Sequence, residues 1–510
     1  MVAACTKPLL GVYERPHFPL CFSEPIRTTL SMFQLTSECI RRFSTSQPHL
    51  FQLHSLPLPS SLLFSFLHQQ AKMTLKVWAR WRPLKSTESP NGEITRESNN
   101  NQSQHQISIT AQAQLPSREK SWKSKHTFNG VIEPNETNNI AYNRLVAPII
   151  PNVLRGQCSN FFAYGHSGSG KTHTMIGYDF ENDAEHGLCL AAARELVTAL
   201  DEINTDIQFG IGLRMYEMRK NSAFDLLNRT ECFVREGPDR RVYIRGETEI
   251  LENGKVRVRP IGTKACWSFE QLLQELRRGL KHRQTATSTV HDQSSRTHAI
   301  IEMEIVTTDL LCARDCVVER QSELVPVGKY ATDVYIEEQL RAVVKTDDGK
   351  YVPNPDYVVD QARVDAAETK KAGFELRVKE AEEYESKVFA ETARVHPCVG
   401  GRLVFVDLAG AEFLGMAAGL KQSPQEKQQG RQINTDLLAL KEVIRARSLG
   451  QARIPYRSSP LTMVLRQHFE ASTDAQSSVI VTVSPAADQY AATMNTLKYA
   501  DLVGSANQQG

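Results

Sequence analysis

Eight residues limit this chain more than any others: Gly165-His166-Ser167-Gly168-Ser169-Gly170-Lys171-Thr172, which satisfies G-x-x-x-x-G-K-[ST] at every fixed position. The run before it, Phe161-Phe162-Ala163-Tyr164, is short and apolar, so the reading is a buried strand turning through glycines into a helix. Such a turn points backbone N–H groups and a helix N-terminus at one place, which suits phosphate oxygens. Lys171 is then expected to meet the β- and γ-phosphates and Thr172 to offer its hydroxyl to Mg²⁺. The chain is expected to bind a nucleoside triphosphate.

A second run, Leu403-Val404-Phe405-Val406, ends in Asp407-Leu408-Ala409-Gly410. An apolar strand ending in a carboxylate fits a buried parallel strand that directs Asp407 at the same Mg²⁺, and Gly410 would supply an N–H able to sense a γ-phosphate. Alone, Asp407 could simply end a strand. Strand and helix patterns alternate from Met73 onward, so the expected class is α/β, a P-loop NTPase with a central mostly parallel sheet flanked by helices.

Composition narrows the partners. Sixty Lys and Arg balance fifty-eight Asp and Glu for a net charge of +2, so any basic binding face must be local and no nucleic-acid partner is expected. The ten cysteines include no C-x-x-C pair, which favours reduced thiols in a cytosolic-type compartment over a zinc site. The best apolar run, Leu62 to Leu67, is far short of the ~18 residues of a membrane span.

Four segments emerge. Residues 1–72 are Ser, Pro, Leu and Phe rich with few acids, and read as a disordered or leader-like extension, with a transit peptide carrying Arg27, Arg41 and Arg42 as the other reading. Residues 73–309 form the first part of the main domain, in which Ser98 to Gln106 reads as a polar surface loop. Residues 310–398 interrupt it with a charged insertion containing a helix near Val358 to Arg394, solvated or in a hairpin, or a partner-binding coiled coil. Residues 399–510 complete the domain.

With Ser294-Ser295-Arg296-Thr297-His298, the P-loop and Asp407-Leu408-Ala409-Gly410-Ala411-Glu412 resemble the nucleotide signature of the kinesin motor domain. Arg80-Trp81-Arg82-Pro83 resembles its adenine-side motif. Phe224 to Asn228, Ile433-Asn434, Pro455-Tyr456-Arg457 and Asn495 to Asp501 match further family elements. The segment LLALKEVIRA, Leu437 to Ala446, looks most like the internal-motor, microtubule-depolymerising class.

The resemblance implies a kinesin motor fold and a cytoplasmic, cytoskeletal ATP hydrolase stimulated by microtubules. ATP would be the substrate, Mg²⁺ the cofactor, and movement or depolymerisation the outcome. It assigns the nucleotide to Arg80, Arg82, Pro83, the loop Gly165, His166, Ser167, Gly168, Ser169 and Gly170, and to Lys171, Thr172 and His173. Mg²⁺ falls to Thr172, Ser295 and Asp407. Ser294, Ser295 and Arg296 belong to the first switch, and Asp407, Gly410 and Glu412 to the second. Arg296 and Glu412 would pair to close the site around the attacking water. For His173, an ordinary helix-surface histidine is the alternative. The microtubule face falls on Lys421, Lys427, Arg431, Lys441, Arg445, Arg447, Arg453, Arg457 and Arg466, basic positions that an acidic polymer would attract.

Several positions depart from the pattern. His291 stands where the first switch has Asn, and Thr297 replaces Ser. Thr435 and Asp436 occupy the Lys and Ser positions of N-K-S-L, and Pro460 replaces the Lys of S-K-L-T, where it is expected in the first turn of a helix. No Lys-Val-Asp tip of the depolymerising class occurs between Glu93 and His126. A nucleotide-binding microtubule adaptor with weak or no ATPase, and a P-loop signalling NTPase without tubulin affinity, are the alternatives.

Overall fold

The computed structural model describes residues 74–508 apart from 91–92, 100–103, 112–120, 204–205, 220–221, 238–239, 253–254, 286–295, 412–423 and 471–475. The extension 1–72, His291, Ser294, Ser295, Glu412 and Lys421 lie outside the described residues.

The chain opens with β1 (Thr74–Trp81), β2 (Glu93–Asn99), β3 (Gln104–Thr110), β4 (Ser121–Lys123) and β5 (Gly130–Ile132). Next come α1 (Asn138–Leu145), β6 (Cys158–Tyr164), α2 (Lys171–Met175) and α3 (Leu188–Asp201). An antiparallel stretch follows, β7 (Phe209–Arg219), β8 (Ser222–Asp225), β9 (Thr230–Glu236) and β10 (Val242–Gly246), with β11 (Glu249–Ile250), β12 (Val256–Arg257) and β13 (Lys264–Cys266). Then α4 (Phe269–Thr285) leads to β14 (His298–Thr307), α5 (Thr308–Arg341), β15 (Val343–Lys345), β16 (Tyr351–Pro353) and α6 (Gln361–Val395). The chain closes with β17 (Arg402–Asp407), α7 (Pro424–Ser448), α8 (Pro460–Glu470), β18 (Gln476–Val483) and α9 (Tyr490–Gln508).

The main sheet runs β10-β9-β8-β7-β14-β17-β6-β18-β1-β5, with β13 on β7. Parallel pairing is confined to the β17-β6-β18-β1-β5 half, which carries both nucleotide motifs. The other half is antiparallel. Every residue of β6 is buried because helices cover both faces, so its second half, Phe161 to Tyr164, is continuously apolar rather than alternating, while buried Asn160 donates to the His468 carbonyl at 3.1 Å. Side chains nevertheless alternate: Phe161 stacks on Phe405 at 5.1 Å in the core under α1, α3 and α4, while Phe162 stacks on Phe469 at 5.5 Å in the core under α7, α8 and α9.

Two expectations change. The described residues of Ser98 to Gln106, 98–99 and 104–106, are strand: β2 pairs with β3 as far as Ser98↔His105 and Asn99↔Gln104, because an exposed antiparallel pair accepts polar residues on its open face. The insertion holds two long helices, α5 of 34 and α6 of 35 residues, each about 50 Å at ~1.5 Å per residue. They pack on each other through Ala331, Val334, Val364 and Ala367. At the tip, buried Glu338 accepts from the Tyr357 hydroxyl at 2.5 Å, the Asp360 N–H at 3.1 Å and Arg363 at 2.7 Å.

Register locates the hairpin. Asp407 pairs opposite Ala299 near the start of β14, whereas α5 leaves from Thr307 and α6 returns to Arg402, which pairs opposite Glu304. The helices therefore join the sheet about 17 Å along β17 from Asp407, at ~3.3 Å per residue. Buried Glu304 fixes the root, bonding Arg402 of β17 at 3.0 Å and Arg314 of α5 at 2.9 Å, while Arg314 reaches Glu385 of α6 at 3.1 Å. Burial alone would raise the Glu304 carboxyl, but the Arg402 and Arg314 guanidiniums hold it at about 2.

Glu304→Ala leaves two guanidiniums without their buried partner, and is expected to cost about 3–5 kcal/mol in urea unfolding at pH 7. A depressed carboxyl stabilises above its unfolded value, so the difference from wild type narrows as pH falls from about 4 towards 2. An unchanged unfolding midpoint at pH 7 would contradict the anchoring role.

Candidate functional site

β6 delivers the loop 165–170 to the end of the parallel half-sheet. Gly170, at φ +100°, occupies the left-handed region that a side chain disfavours and turns the chain into α2. The Lys171 Nζ, in a buried side chain, donates to the carbonyls of Gly165 at 3.1 Å and His166 at 2.9 Å, so the ammonium sits inside the loop curl. His166 is also buried, and its Nδ1 donates to the Ser167 carbonyl at 2.8 Å. Burial lowers this imidazole to about 4, leaving it neutral at pH 7. Ser169 Oγ bonds Thr482 Oγ1 of β18 at 2.7 Å, tying the loop to the neighbouring strand.

Asp407 stands beside the loop at the end of β17, 2% exposed. Its Oδ2 accepts from Thr172 Oγ1 at 2.8 Å and from Arg283 Nη1 at 2.8 Å. Its Oδ1 is buried with no hydrogen-bond partner. A bare carboxylate oxygen next to a threonine hydroxyl is a donor set that suits a hard cation completing its shell with water and phosphate. Mg²⁺ therefore fits Thr172 and Asp407. The segment after Asp407 also touches the loop: Ala411 N–H donates to the Gly165 carbonyl at 3.1 Å. A Cβ on Gly410 would lie 2.8 Å from Ser167 N, so only glycine permits this approach.

Arg283 is a site residue that the sequence reading missed. It is 3% exposed, bonds Asp407, donates to the Thr297 carbonyl at 3.2 Å, and lies 3.8 Å from Glu217 Oε2. The signal was present: Phe269, Leu272, Leu276 and Gly279 mark the inward stripe of α4, and Arg283 continues it four residues on. A charge on a buried stripe calls for a buried partner.

Where the sequence resemblance places the adenine, a cavity of about 230 Å³ is lined by Arg80, Arg82, Pro83, Asn138, Gly170 and His173. Arg80 turns inward, donating to Asn138 Oδ1 at 2.6 Å and Thr174 Oγ1 at 3.1 Å, and burial brings its guanidinium down to about 10. Arg82 makes a two-pronged pair with Glu88 at 2.7 Å. His173 faces Tyr178, with ring centroids 5.5 Å apart, and burial lowers its imidazole. Arg80 and Arg82 thus shape the cavity wall, and Pro83 and His173 supply its flat surfaces.

A second cavity, about 310 Å³, separates the first-switch end from α7 and is lined by Arg296, Arg283, Glu217, His298 and Asp436 among others. Outward-facing Lys427, Arg431 and Arg445 are exposed on α7, with Lys441 half-buried, and Arg453 is exposed beyond it. Arg445 lies 3.6 Å from Glu442. Arg457 grips Glu236 at 2.7 Å and Arg466 reaches it at 3.5 Å, so two of the basic positions already share an internal carboxylate. Arg447 also has a structural contact: its Nη2 donates to the Phe469 carbonyl at 2.7 Å, closing the end of α8. Pro460 opens α8 behind Ser459, whose Oγ accepts from Thr462 N–H at 3.2 Å. The insertion approaches this side, and a cleft of about 700 Å³ lies between α5, α6, Arg240, Arg241 and the end of α8.

Arg283→Ala is expected to destabilise the protein by about 3–5 kcal/mol, because Asp407 and Glu217 lose their buried cation. Arg283→Lys keeps a charge and recovers part of the loss. Equal urea midpoints for wild type and Arg283→Ala would show that Asp407 does not depend on this arginine.

The model of the kinesin motor domain family matches residues 80–325 and 374–505. Kinesin-like protein KIF24 of Homo sapiens is 28% identical over 378 residues, covering 74% of this chain and 20% of that protein. Kinesin-like protein KIN-13A of Oryza sativa subsp. japonica is 28% identical over 392 residues, covering 75% of this chain and 35% of that protein. The chain thus spans between a fifth and about a third of these relatives' length. The solved structure of a fast kinesin superposes with a TM-score of 0.51 at 19% identity, covering 85% of this chain and 91% of that one, and shows the shared fold. The unmatched stretch between the two family segments falls on the outer part of the α5–α6 hairpin. By its family match and its fold, the chain belongs to the kinesin motor domain family.

Proposed function

We infer that this chain is a microtubule-stimulated ATPase that couples Mg·ATP hydrolysis to switch movement. The observation that carries the reading is the shared carboxylate of Asp407, held by Thr172 of the phosphate loop and by Arg283 of the helix that precedes the first switch. In this reading Lys171 meets the β- and γ-phosphates, and Thr172 and Asp407, with Ser295, hold Mg²⁺. The bound ion would neutralise charge on the β- and γ-phosphate oxygens. Ser294 joins Ser295 in the first switch.

The close packing of 410–411 on Gly165 and Ser167 supports a second switch in which the Gly410 N–H would sense the terminal phosphate. Arg296 and Glu412 would pair across the closed site and position water. Positioning and electrostatic stabilisation are the main levers in phosphoryl transfer. The basic face of α7, with Arg453, Arg457 and Arg466, would meet the acidic surface of the microtubule. It is a thin face, since Arg457 and Arg466 share Glu236 and Pro460 and Thr435 stand where the family pattern has lysines. That observation favours the second reading, a nucleotide-dependent microtubule adaptor with little turnover.

Steady-state ATPase with and without paclitaxel-stabilised microtubules separates the two. The motor reading predicts stimulation of at least about tenfold, lost with Glu412→Ala, and a fall of about a hundredfold or more in kcat/KM for Lys171→Ala. Pro460→Lys, which returns a cation to the thin face, is expected to lower the microtubule concentration for half-maximal stimulation two- to fivefold at low salt, on the order of a single surface charge contact. Nucleotide binding with no stimulated turnover would leave the adaptor.

A further inference from the structure

We propose that Asp436 is a positioning residue that links the second-switch strand to α7 through His298, so that the phosphate site and the track-facing helix move as one. The inference rests on the motor reading above and adds to it a residue that departs from the family pattern, where Ser stands at this place.

The geometry gives a direction to the link. Ala409, two residues after Asp407, donates its backbone N–H to His298 Nδ1 at 3.0 Å. That nitrogen must therefore be the acceptor, and in the neutral ring the hydrogen sits on Nε2. Burial lowers His298 to about 3, which keeps the ring neutral. Nε2 is buried with no hydrogen-bond partner, and the Oδ2 of Asp436 lies 4.0 Å from it. Asp436 is itself 5% exposed, accepts from Gln432 Nε2 at 3.1 Å, one turn earlier on α7, and is also hydrogen-bonded by the Ser459 side chain. An advance of α7 by about 1 Å turns the 4.0 Å gap into a hydrogen bond, a displacement of the size helices make in switching proteins.

A buried donor such as His298 Nε2, left without a partner with a carboxylate just out of reach, costs free energy until the contact closes. The pair is therefore a two-position element: open here, and closed when α7 shifts. Charged and titratable groups facing the same cavity are Glu217, Arg219, Glu231, Arg283, Arg296 and His298. Burial raises the Asp436 carboxyl to about 6, so its charged form is penalised above that pH and the penalty is relieved as pH falls through it. A chain that keeps such a carboxylate gives up stability there, as functional sites do.

The test compares wild type with Asp436→Asn in the full chain. Thermal unfolding is expected to show the variant as the more stable protein at pH 7.5, with the difference closing below pH 6. The ratio of microtubule-stimulated to basal ATPase is expected to fall at least about fivefold in the variant at pH 7.5 and to lose its dependence on pH between 6.0 and 7.5, whereas the wild-type ratio declines towards pH 6. Hydrogen exchange of the α7 amides supplies a readout without microtubules. It should differ between ADP and a non-hydrolysable ATP analogue in wild type and not in the variant. A variant that keeps both the wild-type ratio and the nucleotide-dependent exchange overturns the proposal. If wild type shows no microtubule stimulation while its nucleotide-dependent exchange still requires Asp436, the link stands and the motor reading falls.

Discussion

Asp407 ends a strand buried on both faces, and its two carboxylate oxygens have different surroundings. One is shared by the Thr172 hydroxyl and the Arg283 guanidinium, and the other is buried without a hydrogen bond. A buried carboxylate is tolerable only with such partners. Through them it joins the phosphate loop, the helix before the first switch and the strand that feeds the second. Glu217, within 3.8 Å of the same arginine, brings the antiparallel half of the sheet into the cluster.

The sheet's division explains why these groups meet. Parallel order in the β17-β6 pair sets the ends of both strands side by side, so the glycine loop after Tyr164 and the carboxylate at 407 emerge at one edge. Antiparallel order in β14 then returns the chain to that edge at His298 and sends it away at Thr307. The long hairpin is thereby kept at the far end, anchored through Glu304, and it enlarges the molecule without entering the nucleotide site.

Much of this was legible in the sequence where one residue type is forced by one geometry. Lys171 and Thr172 after a glycine turn, Asp407 after a buried apolar run and Pro460 at a helix start all follow from local rules, and the structure brings the first three together. Arg283 was overlooked because an arginine in a polar, charge-rich helix looks solvated, although its place on the stripe of Phe269, Leu272 and Leu276 marks it as inward. Helix α5 was missed because its apolar positions follow no single stripe: Leu310 packs in the domain core, while Ala331 and Val334 face α6. The structural contact of Arg447 escaped notice for a different reason. Its contact with the Phe469 carbonyl is a tertiary one between two helices, and no spacing within either helix announces it.

In the proposed function, Asp407 and Thr172 hold Mg²⁺ for the nucleotide. Equilibrium binding of a fluorescent ATP analogue, measured in Mg²⁺ and in excess EDTA for wild type and Asp407→Asn, tests it most directly. Chelation is expected to weaken wild-type binding by about a hundredfold or more and to change the variant's affinity little, consistent with the charge that the metal neutralises. Equal wild-type affinity in Mg²⁺ and EDTA would contradict it.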